Sequence, residues 1–487
     1  MPMIFQAAES NAPIVSLRSR SGWFPLGRHC KLKWLAVLYG LFVAIAVFDR
    51  LPVPLLPLSL YRVLSAPLLF MLLLSVLGQN RVRIQVSTHA GVTLAAFLLW
   101  SGVSALASPE KATAAIHLLR YGEYVAIALV LALALGRICQ QTRWIPLCWT
   151  LMAAAVLSAG TILSDSLGFT HLFSLYTAER PYVRHMGILG EANYGAGKLC
   201  ILLPFLFFLA ERCGRNHHWG RLTLVAGGCL AILAAVFVTG SRMGGAIAVG
   251  ILAVFLLRLA RLSKCFRRIL VCGSLLASIG LAVATPHFDR FGTTAHYVIG
   301  RYRVLVSLIQ TGREEYGAIH ETAIRERLDV LAAGVQMVID RPLVGVGPGA
   351  FSQVIGSYDV RYTSVYSHNT YVSMVVELGL PGLLLFACLC LSVFRSTRRQ
   401  RWTQGTSGRT FSVYLRLSYI AQLLVFLFLH DADSKLFWTL FVPLSLWAGC
   451  VPARRDRLDT LMARTSTCVA LRDRGRWPVF DSRHRPA

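Results

Sequence analysis

The chain has 487 residues, 55% hydrophobic and only 15% charged, with a formal net charge of +26. A soluble domain carries about a quarter charged residues, so this composition excludes an ordinary soluble enzyme and points into the membrane. The positive charge does not signal nucleic acid, because Lys and Arg fall in short clusters between apolar runs and no basic motif interleaved with aromatics is present.

Apolar runs near the length of a membrane crossing recur from end to end, which predicts an all-α, polytopic integral membrane protein with about twelve transmembrane helices. In chain order the expected spans are 34–48, 58–77, 91–107, 114–135, 144–163 and 194–210, then 221–239, 244–257, 269–285, 371–394, 411–430 and 436–450. The first follows a basic tail (Arg18, Arg20, Arg28, Lys31, Lys33) with no small-residue cleavage site after it, so it reads as a span rather than a removable leader. Placing that tail in the cytoplasm sends Arg81 and Arg83, then Arg137 and Arg143, then Arg212, Arg215 and Arg221 to the same side. Arg258 to Arg268 and Arg395 to Arg409 follow the same alternation, as the positive-inside rule requires. An even span count returns the Arg-rich tail to the cytoplasm as well. The expected organisation is a basic N-terminal tail (1–33), N-terminal spans (34–183), a central membrane region (184–394) with an outward loop at 286–367, C-terminal spans (395–450) and the basic tail (451–487).

Two outward loops are long, and an ~80-residue connection with a helix of its own is more often functional than a linker. The second loop contains an amphipathic stretch, Arg325 to Arg341, with Leu328, Leu331, Val335 and Val338 on or near one face. It ends in the turn-rich run Arg341-Pro-Leu-Val-Gly-Val-Gly-Pro-Gly-Ala-Phe351. None of the twelve cysteines falls in an outward loop, and none has paired metal ligands beside it, so neither structural disulfides nor a metal site is expected.

Four polar features converge on the outward side. Ser367-His368-Asn369 opens a span that continues through Tyr371 to Glu377, Gly379, Pro381 and Gly382, a carboxylate and a kink within hydrocarbon depth. Arg184-His185 and Gly190-Glu191-Ala192-Asn193 lie in the first long loop, Thr239-Gly240-Ser241-Arg242 links two spans, and Arg325/Glu326/Arg327 opens the amphipathic stretch. Arginines gathered at the outer rim suit phosphate or pyrophosphate, because guanidinium is a bidentate and permanently charged donor. A histidine beside them can take a proton from an incoming hydroxyl at neutral pH. The plainer readings stand alongside: outward arginines meet lipid headgroups, Lys198 either snorkels or helps hold an anion, and Arg120 either pairs with Glu123 or reaches the outward cavity. Glu377 reads as a packed, hydrogen-bonded carboxylate that steadies a kinked helix, and Asp431 and Asp433 as solvated.

At His368-Asn369, followed by nine residues and then Gly379-Leu-Pro-Gly382, the chain resembles the O-antigen ligase family, which shares a domain with O-antigen and exopolysaccharide polymerases. Thr239-Gly-Ser-Arg242 and Asp340-Arg-Pro-Leu-Val-Gly-Val-Gly-Pro-Gly349 support the resemblance, and Gly190-Glu-Ala-Asn193 fits more loosely. The resemblance implies a GT-C-like membrane glycosyltransferase of the bacterial inner membrane, with an inverting, metal-independent reaction on the periplasmic face and no cofactor. It implies an undecaprenyl pyrophosphate-linked glycan as donor and lipid A-core, or another carrier-linked glycan, as acceptor. In that scheme Arg184 and Arg242 hold the pyrophosphate and His368 acts as base, with Asn369, Tyr371, Ser241, Lys198, Arg120 and Arg325 around the substrate. The competing functions are a polymerase that extends carrier-linked chains, transfer to protein, and, outside the enzymes, a flippase for the same lipid-linked sugar.

Overall fold

The computed structural model describes residues 15–17, 28–49, 59–77, 82–84, 87–140, 144–167, 187–189, 191–262, 319–362, 365–399, 406–430 and 434–447. Its helices are α1 (Arg28–Val47), α2 (Leu60–Leu77), α3 (Thr88–Ala107), α4 (Lys111–Gln140), α5 (Trp144–Ser166) and α6 (Ala192–Arg215). They continue with α7 (Trp219–Val238), α8 (Arg242–Leu262), α9 (Ile319–Asp340), α10 (Thr370–Arg399), α11 (Thr406–Phe428) and α12 (Val442–Leu446), the last preceded by a π-helical turn, Phe437–Phe441. The strands among the described residues are a small antiparallel ribbon, Val15–Leu17 against Val82–Ile84.

Eight of the described helices are long and apolar enough to cross a membrane. Three shorter apolar helices, Trp34–Val47, Leu60–Val76 and Phe437–Leu446, coincide with further expected spans, and 269–285 lies outside the described residues. In the last expected span, 436–450, the described helix ends at Leu446, and 448–450 lie outside the described residues. The tail 451–487 and the loop residues 286–318 also lie outside the described residues.

The bundle is arranged around α6, whose apolar window is 89% buried. Lipid offers apolar side chains as good an environment as protein does, so helices in a membrane associate through close packing rather than hydrophobic transfer. α6 follows that rule: Phe207 stacks on Phe255 of α8 with ring centroids 4.0 Å apart, and Phe208 meets Phe411 of α11 edge-on at 5.2 Å. Ala196 lies against Gly244, and Gly197 against Val425.

The two ends of the bundle differ in chemistry. At one end, Glu211 of α6 is bonded to Arg215, Arg258 of α8 and Tyr414 of α11, with Arg212, Arg261 and Arg409 on the flanking turns. At the other end lie the starts of α6, α8 and α10 and the finish of α11.

The kink in α10 explains how the long loop is anchored. Gly379 breaks the helix at φ 70°. Pro381 has no N–H to return to the carbonyl of Glu377, and the N–H of Leu380 is turned to the carbonyl of Pro342 at 2.9 Å. Carbonyls released within hydrocarbon depth must find other donors. Val346 N–H serves Val376 and Gly347 N–H serves Glu377, each at 2.9 Å, while Trp100 Nε1 serves Leu378 at 2.8 Å. Ser104 Oγ adds a second bond to the Glu377 carbonyl at 2.9 Å. The turn-rich run 341–350 is therefore bonded edge-on to the broken helix.

Of the apolar residues that mark α9 in the sequence, Leu328, Leu331 and Val335 are exposed and Val338 packs against a buried face formed by Val330, Ala333 and Met337. The buried set packs against Val346, Ala350, Phe351, Ile355 and Val376, a small core of its own. The helix is apolar on two sides, and the side turned inward is the one that fits the glycine-rich run.

Candidate functional site

The start of α10 is built by capping. Asn369 Oδ1 accepts from the N–H groups of Tyr371 and Val372, at 2.9 and 3.1 Å, and so satisfies two donors that a helix start leaves open. Ser367 Oγ accepts from Asn369 N–H at 3.3 Å and donates to the Asn369 carbonyl at 2.8 Å, clamping the residue between them. That residue, His368, has a left-handed backbone with φ 52°, a conformation uncommon outside glycine and one that clusters where function constrains the chain. Burial pushes its pKa below the ordinary 6.5 of an imidazole; the charge of Arg327 pushes the same way and Glu326 opposes it. Its ring is therefore neutral at neutral pH, the state in which it accepts a proton.

A second histidine, unremarked in the sequence, stands behind this turn. His430, just past α11, has Nδ1 2.6 Å from Ser373 Oγ, which in turn lies 2.5 Å from Ser367 Oγ. Tyr194 of α6 donates its hydroxyl to the His430 carbonyl, and Thr370 Oγ1 donates to the Leu429 carbonyl at 2.7 Å. Tyr366 stacks on the His430 ring with centroids 4.9 Å apart and planes 16° from parallel. A lone histidine at the end of an apolar run carries no pattern that would have singled it out.

The turn between α7 and α8 is equally tight. Thr239 Oγ1 accepts from Ser241 N–H at 3.2 Å, Gly240 takes φ 63°, and Ser241 Oγ accepts from Gly244 N–H at 3.3 Å as the cap of α8. Arg242 is thereby fixed as the first residue of α8, at the same end of the bundle as Asn369. The Glu191–Asn193 run opens α6 there too, with Asn193 Nδ2 donating to Glu191 Oε1 at 3.2 Å.

Other sequence-singled residues go elsewhere. Lys198 does not snorkel: it is 5% exposed, with Nζ 2.5 Å from Asp49 Oδ1 and 2.9 Å from the Val47 carbonyl. Asp49 also faces Lys435, at 3.6 Å, whose ammonium lies over the rings of Tyr61 and Tyr124. A buried ammonium in a membrane needs such a partner. Tyr371 points its hydroxyl to the Leu423 carbonyl at 3.2 Å and packs among Phe386 and Phe426. Arg120 Nη1 lies 3.3 Å from His117 Nε2. Glu377, 2% exposed, accepts from Gly349 N–H at 2.7 Å, so its carboxylate binds the turn-rich run. Arg325 belongs to the first turns of α9. Arg184, His185, Gly190, Asp431 and Asp433 lie outside the described residues. Among the described residues, no three His, Cys, Asp or Glu side chains gather as a metal-ligand set.

No curated protein matches the chain. Residues 227–387 match the family model described as O-antigen ligase. The match runs from α7 to α10 and so takes in the Thr239–Arg242 turn, the 341–350 run, His368-Asn369 and the Gly379–Gly382 kink. That region of the chain is similar to the O-antigen ligase family.

Proposed function

We propose that this protein is a membrane glycosyltransferase that moves a glycan from an undecaprenyl pyrophosphate carrier to a sugar hydroxyl of lipid A-core, without a metal and with inversion at the anomeric carbon. The reading rests on one observation above others: the His368-Asn369 turn and the Ser241-Arg242 turn open two spans at the same end of the bundle, both fixed by side-chain caps. The reaction balances as follows. The acceptor oxygen bonds to the anomeric carbon, the bond from that carbon to the pyrophosphate oxygen breaks, the hydroxyl proton passes to the His368 imidazole, and undecaprenyl pyrophosphate leaves as the anion. Arg242, with Arg184 from the preceding loop, stabilises the charge that develops on the leaving group. Arg325 and Arg120 flank the substrate, and Lys198, held by Asp49, secures the wall formed by α6.

The Arg-rich end of the bundle faces the cytoplasm in this reading, as the positive-inside rule has it, and the capped turns face the periplasm. In membrane vesicles given labelled lipid-linked glycan and lipid A-core, the expected product is labelled lipopolysaccharide, lost in His368→Ala. Longer carrier-linked chains without labelled lipopolysaccharide would make the protein a polymerase, and carrier translocation with no new glycosidic bond would make it a flippase.

A further inference from the structure

Tyr366 is half-exposed, at 50%, just ahead of the α10 start, two residues before His368. Its ring does not hang loosely. One face lies on His430, whose own ring is fixed by Ser373 at Nδ1 and whose backbone carbonyl is held by Tyr194 of the central helix. The ring is thus held on one face, and the residue stays half-exposed. A tyrosine offers a large flat apolar face and has few rotatable bonds to immobilise, so presenting it ready-ordered lowers the cost of binding. The ligand chemistry such a face suits is the C–H side of a pyranose ring, which is apolar and flat, whereas a pyrophosphate is repelled by the negative face of the π-system.

We infer that the Tyr366 ring, backed by His430, is a carbohydrate platform that seats a pyranose of the donor glycan or of the acceptor beside the reacting hydroxyl. This rests on the glycosyl-transfer reading above.

The test uses the full-length protein in lipid nanodiscs, with donor and acceptor concentrations varied separately for wild type, Tyr366→Ala and Tyr366→Phe. Loss of the ring raises KM for one of the two substrates by about five- to tenfold, the order expected of one aromatic contact, while kcat changes less; which KM moves tells donor from acceptor. Tyr366→Phe recovers most of that affinity, because it keeps the ring. The inference is overturned if Tyr366→Ala leaves both KM values unchanged, if it lowers thermal stability and kcat together as a mere interfacial anchor would, or if the Phe variant is as impaired as the Ala variant. Should the wild type transfer no glycan, the functional reading fails first. The platform is then judged by saturation-transfer NMR with two probes, released core oligosaccharide and released donor glycan. Sugar-ring signals present with wild type, absent with Tyr366→Ala and restored with Tyr366→Phe support it; signals equal in wild type and Tyr366→Ala, or absent in all three, sink it.

Discussion

The backbone N–H of Gly349 donates to the carboxylate of Glu377 across 2.7 Å, so two stretches of the matched domain 28 residues apart are bonded directly to each other. Removing the acceptor leaves a buried amide without its partner, which costs about 1–3 kcal/mol. Glu377→Ala should lower the thermal unfolding temperature of the purified protein, and Glu377→Gln, which retains a carbonyl oxygen, should lower it less. Equal stability of Glu377→Ala and wild type would remove the carboxylate from the anchoring role.

Gly379 is where the chain tolerates least. Its φ is 70°, and a Cβ added there would stand 1.9 Å from the carbonyl oxygen of Leu343. Gly379→Ala is expected to destabilise by more than about 4 kcal/mol, in the exceptional class for a single substitution. The check is the yield of monodisperse protein from membranes, which should collapse for Gly379→Ala while Gly160→Ala, with open space around its Cβ, is extracted normally.

The pH dependence of transfer follows from the direction of the His368 shift. In the proposed reaction the base must be neutral, so kcat/KM rises with pH through the His368 pKa and is level above it; burial places that midpoint below 6.5. Arg327→Gln removes a charge that disfavours protonation, and the acid limb moves to higher pH. Glu326→Gln removes the opposing charge, and the limb moves lower. Initial rates from pH 5 to 8 test the signs, and shifts in the reverse sense would separate the limb from His368.

Arg242→Ala should reduce kcat by about 100-fold or more, the usual loss when one donor to a developing anion is deleted. Arg242→Lys should restore only part of it, because an ammonium cannot bond two phosphate oxygens in a plane. Single-turnover transfer from labelled donor is the measurement; a Lys variant equal to wild type would show that charge alone suffices.

At the opposite end, Glu211 is 2% exposed at its side chain and is met by Arg258, Arg215 and the Tyr414 hydroxyl. Glu211→Ala strands a partly buried guanidinium and a phenol. A fully buried pair broken this way costs ~3–5 kcal/mol, reduced here to about 2 because both arginines retain water contact. Thermal unfolding of Glu211→Ala beside Glu211→Gln measures it.

The long apolar runs were legible because a span must be apolar along nearly all its length, and the α10 kink because Gly-x-Pro-Gly can hardly continue a helix. The two capped turns were legible for the same local reason: Ser241 and Asn369 act on backbone within three residues of themselves. What escaped the sequence is what depends on distant residues. Nothing near Lys198 announces Asp49, 149 positions away, and nothing near Ser373 announces His430. The buried side of α9 was not legible because hydrophobic spacing marks an apolar stripe without saying which stripe a partner will cover.

The first turns of α6 touch Asp49, Gly244, Val425, Leu429 and the carbonyl of His430 at once. A post wedged on so many sides can neither tilt nor slide without unseating all of them together. Any breathing of the bundle is therefore left to its outer helices, while the spindle at its centre stays still.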